Sequence, residues 1–202
     1  MRKMFLSLAV LALVASPAFA GAGKYNSVVA PGDPAPVFSG IPAVLGDKET
    51  TLNLGDIKED VVVVVFLANH CPVVTFYEDR MIDFANDYKG KNVKVVAFSV
   101  SKREDDRLPA IKERVKERNY NYAYGYDATQ QIGRAYGATN TPQFFVLDKT
   151  RTIRYSGAMD DNRDEAKVQK QYVRDAVDAV LKGESVEISE TRPQGCGISY
   201  TK

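Results

Sequence analysis

Residues 61–67 read Val-Val-Val-Val-Val-Phe-Leu, and this run limits the possible folds more than any other stretch of the chain. It is short, continuous and β-branched. With no polar residue at alternate positions, neither face of such a strand can meet water. It is therefore a strand covered on both sides, as in a parallel sheet sandwiched by helices. Val93 to Val100, apolar but for Lys94 and Ser99, reads as a second buried strand. Between the two, Val73, Tyr77, Met81, Phe84 and Tyr88 recur at spacings of three and four, which predicts one helix opening at Cys71-Pro72. Glu78, Asp79, Asp83 and Asp87 are expected on its solvated side, and Arg80 with them.

The remaining pattern completes an α/β fold. Val37–Ala43 and Thr50–Leu54 form a short strand pair around Gly46-Asp47. Leu108, Ile111 and Val115 mark a second helix, Tyr122–Tyr126 a strand, and Ile132, Ala135 and Tyr136 a brief helix. Phe144–Asp148 and Ile153–Ser156 then form a hairpin, and a last helix runs from Glu165 to Lys182, stopped by Gly183. Strands alternating with helices pair in parallel, and the late hairpin makes the sheet mixed, with helices on both faces.

The ends of the chain read differently from its middle. Arg2 and Lys3, an apolar run from Met4 to Val14, and Ala18-Phe19-Ala20 have the three parts of a cleavable signal peptide over residues 1–20. The apolar run is shorter than the ~20 residues that span a bilayer, so no stable membrane insertion is expected. Residues 21–36, with Pro31, Pro34 and Pro36, read as an extended tether before a domain over 37–183. Residues 184–202 form a tail. Losing Arg2 and Lys3 takes the formal charge from +1 to −1, a surface without attraction for nucleic acid. The expected location is periplasmic or extracellular.

Chemistry is concentrated in few residues. Cys71 and Cys196 are the two cysteines, and His70 is the single histidine, so a multi-histidine metal site is excluded. No glycine-rich phosphate loop is present, and no metal, flavin or nucleotide cofactor is implied. A cysteine at a helix N-terminus is biased toward the nucleophilic thiolate. A small buried hydrophobe at the end of a core strand is the plainer role for Cys71. Cys196, in Arg192-Pro193-Gln194-Gly195-Cys196-Gly197, could resolve an adduct on Cys71, staple the fold, or pair with another protein.

Gly32-Asp33-Pro34-Ala35-Pro36, Asn69-His70-Cys71-Pro72, Gly137-Ala138-Thr139-Asn140-Thr141-Pro142 and Gly195-Cys196-Gly197-Ile198 carry a resemblance. Over most of residues 31–198 the chain resembles the thioredoxin-like redoxins of the alkyl hydroperoxide reductase/thiol-specific antioxidant group. The resemblance implies the thioredoxin fold, a cis Thr141-Pro142 edge where an extended substrate pairs, and Cys71 as nucleophile. It implies a protein thiol or disulfide, or a small peroxide, as the substrate. His70 adjoins Cys71 as a candidate general base, expected to point the other way.

Two departures stand beside this. Similar proteins often read Cys-Asn-His-Cys, where this chain begins with Ala68, so Cys71 has no local partner thiol. Peroxiredoxins place Thr-x-x-Cys here and an arginine before the late strand, where this chain has Ala68 and Pro142. The resemblance thus implies an exported redoxin working through Cys71, or, as the alternative, a catalytically silent binding module with the same fold.

Overall fold

The computed structural model describes residues 22–201; the expected signal peptide lies outside them. In chain order the strands are β1 (Ile41–Leu45), β2 (Lys48–Leu52), β3 (Val61–Phe66), β4 (Val93–Ser99), β5 (Ala123–Tyr126), β6 (Asn140–Thr141), β7 (Gln143–Leu147), β8 (Ile153–Gly157) and β9 (Cys196–Gly197). The helices are α1 (Pro72–Thr75), α2 (Glu78–Asp87), α3 (Leu108–Arg118), α4 (Gln131–Ala135) and α5 (Tyr172–Lys182). Seven strands form one mixed sheet in the order β2-β1-β5-β4-β3-β7-β8. β3 pairs in parallel with β4 and antiparallel with β7.

The valine run lies at the centre of this sheet, with all six residues of β3 buried. Val61, Val63 and Val65 point into a core shared with Met81 and Phe84 of α2, Ile111 and Val115 of α3, and Val177 of α5. Val62, Val64 and Phe66 face the opposite core, with Ile132 and Tyr136 at α4 and Val29 and Phe38 of the N-terminal segment. No helix among the described residues is long and apolar enough to cross a membrane.

Four sequence expectations need correction. The helix after Cys71 is broken: α1 ends at Thr75 and α2 starts at Glu78. Val73, Val74 and Thr75 are β-branched and poor at propagating a helix, and Thr75 Oγ1 donates to Pro72 O at 2.8 Å, a competing local bond. The apolar face Val73, Tyr77, Met81, Phe84 and Tyr88 is nonetheless buried throughout.

Glu78 is not on a solvated side. It is 2 % exposed and accepts from Arg114 Nε at 2.8 Å and from the Tyr120 hydroxyl. Arg80 is likewise buried, paired with Asp160. The partners come from α3, its end and a loop dozens of residues away, so helical spacing gave no sign of them.

Residues 26–35 are no tether. Val29, Ala30 and Ala35 are buried, Asn26 Nδ2 donates to Tyr136 O at 2.8 Å, and Gly32 N donates to Ile153 O at 2.7 Å. The last helix starts at Tyr172, because residues 165–167 form a separate 3-10 turn capped by Asp164.

Candidate functional site

Cys71 sits where β3 hands the chain to α1, as the residue before Pro72 with extended backbone. Leu67 N donates to Phe98 O at 2.9 Å, which continues the β3–β4 ladder to the edge of the site. Cys71 is not exposed at this corner. The residue is fully buried, 0 % exposed, and it is bridged to Cys196 with the two Cα atoms 6.0 Å apart. Its Sγ lies 3.2 Å from the carbonyl oxygen of Thr141. Since α1 is a single turn, its backbone dipoles offer little of the thiolate stabilisation a long helix would give.

Thr141 and Pro142 come to the same place at the start of β7, the strand paired antiparallel with β3. The Thr141–Pro142 peptide is cis, and Thr141 is buried. The edge just before this proline is not empty. β6 pairs antiparallel with β9, with Thr141 opposite Cys196 and Asn140 opposite Gly197. Asn140 Nδ2 donates to Gly195 O at 3.0 Å, and Ile198 N donates to Thr139 O at 2.8 Å. The C-terminal tail is therefore a short strand laid on the edge where the resemblance places an extended substrate.

Gly195 is required by this approach. A Cβ there would stand 2.7 Å from the carbonyl carbon of Thr141 and nearer still to its oxygen. At Gly197, on the other side of Cys196, a Cβ would meet nothing within 4 Å.

The tail is held on both sides of the bridge. Upstream, Thr191 N donates to Ser156 O at 3.0 Å, and Glu190 accepts from the backbone N–H groups of Lys24 and Tyr25. Downstream, fully buried Gln130 donates to Ser199 O and accepts from Thr201 N, both at 2.9 Å. Tyr200 donates its hydroxyl to Ala138 O at 2.7 Å, and burial pushes that phenol up to about 12, so the donor form persists.

The His70 ring turns to Asp106. With Ala68, Thr141 and Gly197, His70 lines a cavity of about 340 Å³ beside the bridge. Its Nδ1 contacts Asp106, a fully buried carboxylate that also accepts from the His70 backbone N–H at 3.2 Å. One carboxylate thus fixes both ends of the residue, as orienting carboxylates do for reactive imidazoles. Asp105 lies close by, its carboxyl held low by the hydrogen bond from Arg103. Asp106, Gln130 and Asn140 are site residues that sequence reasoning did not single out as functional. Only Asn140, within the Thr-Pro piece, carried any signal.

The chain as a whole is similar to proteins of known structure. The chain is similar to a hypothetical protein from Sinorhizobium meliloti 1021 of known structure, with 31% identity and a TM-score of 0.78, covering 87% of this chain and 97% of that one. It is similar to an uncharacterized conserved protein from Geobacillus kaustophilus at 30% identity and a TM-score of 0.76, over 85% and 92% of the two chains. A Chlorobium tepidum protein assigned as a thiol:disulfide interchange protein shares the thioredoxin fold, with 22% identity, a TM-score of 0.60, and coverage of 75% and 97%. No curated protein matches the chain. The AhpC/TSA family model matches residues 31–156, from the segment packed under α4 through Cys71 and Pro142 to β8, and the chain belongs to that family.

Proposed function

We propose that this protein is an exported redoxin of thiol–disulfide exchange, with Cys71 and Cys196 as its working couple. The observation that carries the reading is the Cys71–Cys196 bridge, formed across the Thr141–Pro142 edge by a tail paired in register with it. A dithiol reductant opens the bridge, giving two thiols while the reductant becomes a disulfide. The Cys71 thiolate then attacks a substrate disulfide, forming a mixed disulfide and releasing one substrate thiolate. The Cys196 thiolate attacks the Cys71 sulfur, releases the second substrate thiolate and restores the bridge. Cys196 thereby takes the role that a neighbour at position 68 would have had.

Disulfides are favoured over peroxides as substrates. Position 68 is an alanine without a hydroxyl, position 142 is a proline without a cation, and Arg80 is committed to Asp160.

The test is trapping. The Cys196→Ser variant, reduced and then offered a disulfide substrate, is expected to accumulate a mixed disulfide on Cys71, visible by mass. Wild type regenerates its bridge, and Cys71→Ser is expected to lose turnover entirely. Turnover by Cys71→Ser would take Cys71 out of the chemistry, and a bridge that no dithiol reduces under native conditions would leave the fold as a binding scaffold. Export follows from the signal-like residues 1–20, and extracytoplasmic protein is expected to begin at or near Gly21. An intact mass that retains those residues overturns export.

A further inference from the structure

We infer that the Thr139–Pro142 edge is a groove for an extended Gly-Cys segment, which the protein's own tail fills in the oxidised state and must vacate for a substrate. The inference rests on the proposed exchange reaction and names what that site takes. Four observations carry it. Cys196 sits opposite Thr141 in β-pairing, the arrangement by which sheet edges accept extended peptides. Cys71 is fully buried with the tail in place, so an incoming disulfide has to take over the same edge to reach its sulfur. No hydrogen bond ties residues 192–194 to other described residues, so the segment between the Thr191 anchor and Gly195 is free to act as a hinge. Gly195 abuts the Thr141 carbonyl whereas Gly197 faces open space, so the groove discriminates on one side of the cysteine only.

These facts define the partner. It presents an extended segment with glycine immediately before its cysteine and any residue after it. Residues with a Cβ at the preceding position collide with the backbone of Thr141, which the cis Pro142 joins directly to β7. The same geometry gives the tail a second task. When it re-pairs with β6 to resolve the mixed disulfide, it takes the edge from the substrate segment, so resolution and product release are one movement.

The experiment uses full-length reduced Cys196→Ser protein, whose tail can seat but not bridge, and Gly195→Ala/Cys196→Ser protein, whose tail cannot seat. The probe is a peptide with the sequence of residues 192–199, its cysteine activated as a 2-thiopyridyl disulfide. Two analogues carry alanine in place of the glycine before or after the cysteine. Rates of mixed-disulfide formation on Cys71 are divided by the rate with a small uncharged thiosulfonate. The variant with the unseated tail is expected to react with the parent peptide about tenfold faster, as the loss of one or two net hydrogen bonds from a competitor implies. Alanine before the cysteine is expected to slow the peptide by a similar factor, and alanine after it to change nothing.

Equal rates for the three peptides, or no gain on unseating the tail, overturn the inference. Should the Gly195→Ala double variant not fold, Tyr200→Phe/Cys196→Ser removes the Tyr200–Ala138 bond, which holds the tail but lies outside the probe's residues, and its expected gain is severalfold. A Cys71 labelled by the thiosulfonate without peptide discrimination sinks this inference alone. A Cys71 that neither reagent labels sinks the exchange reaction with it.

Discussion

Arg80 shows how one side chain can hold a break in a helix. Its guanidinium donates to Phe76 O at 3.0 Å, to Arg163 O at 2.7 Å and to Asn162 O at 3.0 Å, and it pairs with Asp160. The Phe76 carbonyl is one of those that the α1–α2 break leaves without a continuing helix. Burial pushes the Asp160 carboxyl up, against the pull of Arg80, so the pair is sustained by several bonds rather than by charge alone. Replacing Arg80 by methionine removes the guanidinium that lies over the Tyr77 ring and strands a buried carboxylate. Arg80→Met is therefore expected to cost roughly 3–5 kcal/mol in denaturant unfolding, the usual range for breaking a buried pair. A cost within the scatter of surface substitutions would mean that Asp160 is neutral or finds water.

At the scale of elements, the tail is the piece whose role depends on redox state. The bridge closes a loop of 125 positions. In the chain-entropy account such a cross-link stabilises by roughly 4–5 kcal/mol, and a dithiol is expected to remove about that much from the unfolding free energy. The loss should be unevenly spread. The Ile198 amide, bonded to Thr139 O, is expected to exchange faster after reduction, while amides of β3 and β4 keep their protection. Uniform acceleration throughout the domain would make the bridge a plain staple rather than a latch on one segment. Elements elsewhere were legible in proportion to their local pattern. β3 was plain as a continuous apolar run, β4 as a run broken only by Lys94 before its closing Ser99, and α5 in its stripe of Val173, Ala176 and Val177. The single helix expected after Cys71 was wrong because spacing records which side is buried, and both halves of a broken helix can bury the same side.

For the molecule as a whole, the sequence by itself determined the sheet, its mixed pairing, the burial of both its faces and the two cysteines at issue. Those are consequences of composition at short range: β-branched runs have no face for water, and Thr141-Pro142 lies directly before a strand. Tertiary structure alone decided the rest. Glu78 became a core residue because Arg114 and Tyr120 arrive from α3 and its end. Asp106 came to hold His70 across a separation of 36 positions, and residues 26–35 became a cover for the second core rather than a linker. Above all, the pairing of Cys71 with Cys196 was left open by the sequence. It needed Gln130, Asn140 and Tyr200's partner Ala138 to bring the tail back across the site. Such contacts join groups far apart in the chain, and only the folded backbone fixes their distances, so local sequence pattern carries no trace of them.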